Sequence, residues 1–250
     1  MTSSSVFDSY SRYYDLLYRD KDYVAEVEYI SNLLTRFNIS GPELLEFGSG
    51  TGKHGCLLAE RGYKVTGIER SPEMVSQAKV TEGFSCQQGD ICTVQLGQTF
   101  DAVLSLFHVV SYQVSNEALQ AVFSRAADHL KSGGLFVFDV WYSPAVYAQR
   151  PEVRIKRMAD CSVEIMRIAE PTMYPNDNRV DVKYTIFERN IATDAFLTFT
   201  ENHPMRHLSL PEIDLLAEVS GFECLKAEAF LTGDQPSEDT WGVCFVLRKH

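Results

Sequence analysis

The chain has 250 residues, of which 45% are hydrophobic and 23% are charged, and its formal net charge is −11. This balance is typical of a globular protein that buries a substantial core. Because an acidic surface repels phosphate backbones and anionic lipid headgroups, we expect neither nucleic acid nor a membrane surface as a partner. No apolar stretch reaches the roughly 18 residues that span a bilayer, and residues 1–15 lack the features of a secretory signal. We therefore expect a cytoplasmic location.

The cysteines form no recognisable pattern. They include no C-x-x-C pair and lie at Cys56, Cys86, Cys92, Cys161, Cys224 and Cys244. Such spacing matches neither a zinc site nor a disulfide framework. We expect free thiols and no bound metal.

Strands and helices alternate through the first 140 residues. Short apolar runs predict strands at residues 43–47, 63–68, 84–88, 100–106 and 135–140. Helical spacing or helix-start signals predict helices at residues 22–37, at 53–61, from 71 and at 116–130. Near-continuous apolar strands separated by helices indicate a parallel sheet covered on both faces.

The pattern changes after Trp141. Strand-like runs follow one another at residues 162–168, 179–190 and 195–201, with a turn signal at 173–178. A capping box at residues 209–212 starts another helix. Two final runs, at residues 223–230 and 241–248, are typical of an antiparallel pair. The sequence therefore predicts an α/β core that carries an antiparallel insertion of about 60 residues.

A glycine-rich turn, EFGSGTG at residues 46–52, follows the first predicted strand and opens a helix. Glycines let the backbone turn sharply and approach a ligand, which is typical of a nucleotide site in a doubly wound sheet. A phosphate-binding loop would need Ser or Thr after Lys53, where His54 stands. The dinucleotide spacing is met by Gly50, Gly52 and Gly55, so a dinucleotide and a purely structural turn both stay open.

Two acidic residues follow the next two strands. Glu69 ends the second strand, where a carboxylate can accept both hydroxyls of a ribose. Asp90 ends the third strand, where a carboxylate can accept the exocyclic amine of adenine. Either acid alone is no more than a loop-edge carboxylate, but the ordered combination with the glycine turn predicts a nucleoside ligand.

With the motifs ELLEFGSGTG, VTGIERSPEM, QGDI, FDAVLSLFHVV and LKSGGLFVFDV, the chain resembles the class I S-adenosylmethionine-dependent methyltransferases over about residues 40–140. The resemblance implies S-adenosylmethionine as the cofactor, with the glycines beneath its methionyl part and Glu69 on its ribose. It implies a doubly wound, Rossmann-like α/β sheet of seven strands, the last one antiparallel, with an antiparallel β insertion. The implied cofactor-binding residues are Glu46, Gly48, Gly50, Gly52, Glu69, Arg70, Met74, Asp90, Ile91, Leu106 and Phe107.

A closer resemblance extends over nearly the whole chain. The segments YYDLLYRDKDY and FDVWYSP and the antiparallel insertion look like the N,N-dimethyltransferases that act on nucleotide-linked amino sugars. It implies that Lys21 and Tyr23 approach the cofactor carboxylate. It implies an acceptor site formed by Tyr14, Tyr18, Trp141, Tyr142, Arg167 and His203. The implied single domain comprises a lid at 1–38, the cofactor core at 40–140, the insertion at 141–208 and a C-terminal part at 209–250.

The general base is where the chain departs from that subfamily. A histidine of the subfamily aligns with Tyr112, and His108 lies four residues earlier. A tyrosine with a pKa near 10 is a poor base at neutral pH, so both residues stay candidates for the catalytic role. His203 is a third candidate, whereas His54, His129 and His207 are interpreted as surface or packing residues.

We therefore predict an enzyme that transfers a methyl group to nitrogen or oxygen of a small-molecule acceptor, with a nucleotide-linked sugar as one option. A nicotinamide-dependent Rossmann oxidoreductase and a non-catalytic cofactor-binding protein are the alternatives. Whether the insertion forms a homodimer is left open.

Overall fold

The computed structural model describes residues 16–250. Tyr14 therefore lies outside the described residues. The chain divides into a larger unit, residues 22–149 and 207–250, and a smaller unit, residues 150–206 together with 16–21.

Strands and helices are numbered in chain order within the described residues. The strands are β1 Glu43–Phe47, β2 Lys64–Glu69, β3 Phe84–Gln88, β4 Phe100–Ser105, β5 Leu130–Trp141, β6 Arg154–Ala159, β7 Val163–Tyr174, β8 Arg179–Asn190, β9 Phe196–Arg206, β10 Phe222–Ala229 and β11 Gly242–Lys249. The α-helices are α1 Tyr23–Arg36, α2 Lys53–Glu60, α3 Pro72–Gln77, α4 Asn116–His129, α5 Ser143–Gln149 and α6 Leu210–Val219. Short 3-10 helices lie at Val109–Tyr112 and Pro175–Asp177.

The larger unit is built on a seven-stranded sheet of order β10-β11-β5-β4-β1-β2-β3. Strands β1 to β5 pair in parallel, and β11 runs antiparallel to both β5 and β10. The predicted fold class is confirmed. Because the carboxyl ends of parallel strands meet at one edge, the residues that follow β1, β2, β3 and β4 lie at the edge where such sheets bind ligands.

Both faces of this sheet are buried. One apolar cluster centres on Phe136, Phe138 and Phe245, and the other packs α1 against the opposite face through Ile30 and Leu34. Burial on both faces removes the polar alternation of a half-exposed strand, which explains the continuous apolar runs in the sequence.

Strand β5 starts at Leu130, five residues before the predicted strand. A register shift against β4 separates Leu130 from Leu135, and Gly133 in between has a φ of +78°. A glycine pair such as Gly133-Gly134 is typical of the end of a helix, but pairing with β4 extends the strand through it.

The smaller unit contains a four-stranded antiparallel sheet of order β6-β7-β8-β9. One of its faces is buried and includes Ile165, Val180, Ile186 and Met205, at the two-residue period of a strand. Strand β6, RIKRMA, is absent from the sequence prediction because its polar residues give no apolar alternation. Pairing with β7 decides its conformation.

Within the larger unit, the chain leaves the sheet and returns to it at one place. The Leu208 N–H donates to the Trp141 carbonyl at 2.9 Å, and the Ser143 N–H donates to the Leu208 carbonyl at 2.9 Å. The predicted capping box at Ser209 and Glu212 starts α6 directly afterwards. Among residues 16–250, no helix is both long and apolar enough to cross a membrane.

Candidate active site

The glycine turn between β1 and α2 has the backbone geometry that only glycine adopts readily. Gly48, Gly50 and Gly52 have φ values of +70°, +56° and +82°. A Cβ at Gly48 would lie 2.5 Å from the Val109 side chain, and one at Gly52 would lie 2.5 Å from the Phe84 ring. A Cβ at Gly50 would meet nothing closer than the Met74 sulfur at 3.9 Å. Gly50 is therefore the glycine of the three whose backbone is open to a ligand.

The Glu69 carboxylate is fixed at the end of β2 by backbone donors. Its Oε2 accepts the Gly50 N–H at 2.9 Å and its Oε1 accepts the Ser71 N–H at 2.8 Å. The residue is 7% exposed, and burial raises the pKa of Glu69 although these hydrogen bonds oppose the shift. The Arg70 backbone N–H is a third donor to this carboxylate. Because two carboxylate oxygens carry four lone pairs, the group can accept at least one further hydrogen bond.

Asp90 lies two residues after β3. Its Oδ1 accepts the Cys92 N–H at 2.8 Å, which fixes the turn that buries Ile91 in the core. Arg70 is exposed after β2, whereas Met74 is buried in α3. These predicted adenine contacts all follow β2 and β3, at the same sheet edge as the glycine turn.

The segment after β4 has an unusual backbone. Leu106 is buried, and the next two residues, Phe107 and His108, have φ values of +63° and +62°. Left-handed conformations cost roughly 1–2 kcal/mol per residue outside glycine, and such strain is concentrated at functional sites. Val109, which follows directly, is the residue that packs against Gly48. The strained pair therefore adjoins the glycine turn.

A buried carboxylate on β5 holds His108. Asp139 is 1% exposed, and its Oδ2 lies 2.6 Å from the His108 Nδ1. The His108 backbone N–H also donates to both Asp139 oxygens, at 3.3 and 3.2 Å. The His108 side chain keeps 22% of its surface exposed. The opposite side of the ring therefore stays accessible.

Among the described residues, the rings of Phe107 and Trp141 lie near this histidine. The centroids of the His108 and Trp141 rings lie 6.3 Å apart. The Trp141 ring also makes an edge-on contact with the Trp241 ring, with centroids 5.7 Å apart. Tyr142 is buried in the core, and burial raises the pKa of its phenol. Tyr112 ends the 3-10 helix and is half-buried. Of the two catalytic candidates, His108 is the one that the structure places beside Asp139 and Trp141.

Glu46 belongs to a buried ionic cluster. The His54 Nε2 lies 2.7 Å from Glu26, and its Nδ1 lies 3.7 Å from Glu46. The Tyr23 ring packs edge-on against the His54 ring at 5.0 Å. Glu26, Glu46 and His54 are all less than 9% exposed. The cluster ties the start of α1 to the strand and helix that flank the glycine turn.

The remaining predicted acceptor residues belong to the smaller unit. The Arg167 guanidinium lies over the Tyr184 ring at 4.8 Å, and burial, aided by the Tyr18 phenol, raises the pKa of Tyr184 to about 12. His203 is 1% exposed, packs on the same ring and lies 3.2 Å from Glu201. The Lys21 N–H donates to the Tyr18 carbonyl at 3.1 Å.

Comparison with known proteins identifies the family. The methyltransferase domain family matches residues 44–134. The dTDP-3-amino-3,4,6-trideoxy-alpha-D-glucopyranose N,N-dimethyltransferase of Streptomyces venezuelae is 31% identical over 176 residues, which are 69% of this chain and 74% of the relative. The chain belongs to the S-adenosylmethionine-dependent methyltransferases. These matches support the predicted enzyme rather than the nicotinamide-dependent or non-catalytic alternatives.

Solved structures share the fold of this methyltransferase. A sugar N-methyltransferase from Streptoalloteichus superimposes with a TM-score of 0.82 at 23% identity, covering 100% of this chain and 98% of the other. An amino pentose methyltransferase from Micromonospora echinaspora with bound S-adenosylmethionine gives a TM-score of 0.76 at 23% identity, with 100% of both chains covered.

S-adenosylmethionine is the cofactor of this methyltransferase, as predicted. The residues present fit it, because the Gly50 backbone is open on its Cβ side and Glu69 has free acceptor capacity beside it. The glycine turn and Glu69 would hold the cofactor, and Asp90 would accept a hydrogen bond from the amine of its adenine. When bound, S-adenosylmethionine supplies an electrophilic methyl group on a sulfonium.

Two residues of this region, Asp139 and His54, are not predicted from the sequence. Asp139 is one acid within the apolar run LFVFDVW, and a charged residue in a strand buried on both faces signals a partner. His54 is interpreted from sequence as a surface or packing residue, but it lies between two buried carboxylates. No local pattern reveals that arrangement, since Glu26, Glu46 and His54 come from three separate elements.

Proposed function

We propose that this methyltransferase transfers methyl groups to the amine of a nucleotide-linked amino sugar. The observation that carries the proposal is the 31% identity to a Streptomyces venezuelae enzyme named for such a substrate. The net charge of −11 supports a small acceptor over nucleic acid or a membrane surface. A cytoplasmic location is part of the same proposal.

Proton removal and positioning are what this chain contributes to the reaction. An amine that is protonated at neutral pH has no lone pair for attack, so a base near the acceptor is needed. His108 has an accessible ring next to the glycine turn and is the base in this proposal. Holding nitrogen and methyl group in line supplies much of the remaining acceleration.

The other predicted roles are part of the same proposal. In the larger unit, Trp141 and Tyr142 keep their predicted roles in acceptor binding, and Tyr23 keeps its predicted role near the cofactor carboxylate. In the smaller unit, Arg167 is assigned to a phosphate of the nucleotide, and Tyr18, His203 and Lys21 keep their predicted roles. Tyr112 is assigned to acceptor positioning, because a phenol with a pKa near 10 is a weak base at neutral pH.

A substrate panel tests the acceptor assignment. The purified protein is incubated with S-adenosylmethionine and dTDP-linked 3-amino and 4-amino sugars, and the products are measured by mass spectrometry. Matched dTDP-linked hydroxy sugars and unlinked amino sugars are the controls. We expect mono- or dimethylated products from the dTDP-linked amino sugars. Transfer to the hydroxy sugars or the unlinked amines alone would overturn the proposal.

A further inference from the structure

A buried carboxylate that touches one ring nitrogen of an accessible histidine decides which nitrogen carries the proton. The His108 Nδ1 and the Asp139 Oδ2 lie 2.6 Å apart. Two lone pairs repel at that distance, so the contact is favourable only when one of the two atoms carries a proton. Since Asp139 is 1% exposed and lies on the internal strand β5, water cannot replace His108 as its partner.

The backbone of His108 reinforces this contact. Its N–H points at both Asp139 oxygens, and its left-handed φ of +62° is what brings the ring and the N–H to the same carboxylate. Strain at two consecutive residues, Phe107 and His108, costs free energy that this contact helps to offset. Packing of the core alone does not require two consecutive residues in the left-handed conformation.

We propose that Asp139 is the positioning residue that holds His108 as the Nδ1–H tautomer, so that Nε2 is the atom that accepts the proton of the acceptor. The identity of the acceptor rests on the function proposed above, whereas the tautomer does not. Asp139 stabilises the imidazolium that forms, as the carboxylate does in other base–carboxylate pairs.

His108 Nε2 takes one proton from the acceptor ammonium, which leaves a neutral amine and an imidazolium. The amine lone pair forms the nitrogen–carbon bond while the methyl–sulfur bond breaks, and its electron pair stays on sulfur in S-adenosylhomocysteine. The imidazolium then releases its proton to water, because the His108 side chain is 22% exposed.

Nuclear magnetic resonance of the apoprotein tests the tautomer without any acceptor. The ring nitrogens of ¹⁵N-histidine-labelled protein are observed, and His108 is assigned from the signal lost in His108→Gln. His129 is an internal standard, because its Nε2 accepts the Leu96 N–H and its Nδ1 must therefore donate to the Arg125 carbonyl. We expect neutral His108 to give the same Nδ1–H signature as His129. An Nε2–H signature would overturn the proposal.

Asp139→Asn should reverse the tautomer. The amide oxygen can accept from the His108 backbone N–H, and its NH₂ group then faces Nδ1, which must become an acceptor. The control Asp101→Asn changes a carboxylate at the other end of β4, which binds Lys131 and the Glu43 N–H. It should leave the His108 signals unchanged. If Asp139→Asn does not fold, the tautomer of His108 in the wild-type protein is the measurement that tests the proposal.

Kinetics separate positioning from structural support. With the acceptor that reacts fastest in the panel, His108→Gln should lower kcat by about 10²–10⁴-fold, with affinity for S-adenosylhomocysteine unchanged. Asp139→Asn should lower kcat comparably, also with affinity for S-adenosylhomocysteine unchanged. A kcat equal to that of the wild type in either variant would overturn the proposal. If no compound in the acceptor panel is methylated, the proposed acceptor is rejected. The tautomer measurement then still tests the role of Asp139.

Discussion

Burial of Glu69 connects cofactor binding to pH at the scale of one residue. The carboxylate is 7% exposed, and burial raises its pKa above the ordinary value of 4.5. In the free protein, a raised carboxyl pKa contributes stability at low pH that is lost as the pH rises through that pKa. A ribose hydroxyl that donates to the carboxylate favours its ionised form. Affinity for the ribose therefore has the opposite pH dependence, because it is lost as the pH falls through the pKa of Glu69.

We expect affinity for S-adenosylhomocysteine to fall as the pH drops through the raised pKa of Glu69, by at most about tenfold per pH unit. The loss should begin at a higher pH than for an ordinary glutamate. Glu69→Gln should remove this dependence and weaken binding at neutral pH by about 1.5–3 kcal/mol, because a charged hydrogen bond is lost. Calorimetry between about pH 5 and pH 8 measures both effects. Equal pH profiles for the two proteins would refute the ribose role.

The glycine turn shows at the scale of an element why a motif has its residues. Position 48 requires glycine for two reasons. Its φ is +70°, and a Cβ there would lie 2.5 Å from the Val109 side chain. Gly62, after α2, has a φ of +92° but no atom within 4 Å of an added Cβ. The two positions therefore separate the conformational cost of a side chain from its steric cost.

Gly48→Ala should lower the free energy of unfolding by about 1–3 kcal/mol more than Gly62→Ala does, because only Gly48→Ala adds overpacking. Denaturant titration measures the difference. Combining Gly48→Ala with Val109→Ala should recover the steric part and leave the conformational part, as a double-mutant cycle reports. Equal destabilisation by the two single substitutions would show that the contact with Val109 is unimportant.

At the scale of the whole molecule, the residues proposed to bind the nucleoside belong to the larger unit. The glycine turn, Glu69 and Asp90 all lie within residues 22–149. The ends of the segment 150–206 are close together, because the Tyr147 and His207 rings lie 5.0 Å apart. A short linker can therefore replace that segment without changing the path of the seven-stranded sheet.

We expect a chain in which a Gly-Ser linker replaces residues 150–206 to bind S-adenosylhomocysteine. At about 100 times Kd, the ligand should stabilise it by about 2.7 kcal/mol, measured as a rise in Tm. The same deletion carrying Glu69→Ala is the control and should show a much smaller rise. A folded deletion variant whose Tm does not respond to the ligand would contradict the placement of the nucleoside site.

Much of the fold follows from the sequence, because local patterns report what each segment buries. The continuous apolar runs predicted β1, β4 and β5 and the parallel sheet, and Ser71, Ser209 and their following prolines predicted the starts of α3 and α6. Strand β6 escaped prediction because its conformation depends on pairing with β7 rather than on its own residues.

For the site, the sequence by itself determined the glycine turn and the two acids at the strand ends, since strand order fixes which residues share an edge. Only the tertiary structure decided between His108 and Tyr112 as the partner of a buried carboxylate, because Asp139 is 31 residues from His108 in the sequence. It also placed His54 between Glu26 and Glu46. Contacts between distant segments depend on how strands and helices pack, and no local spacing encodes that packing.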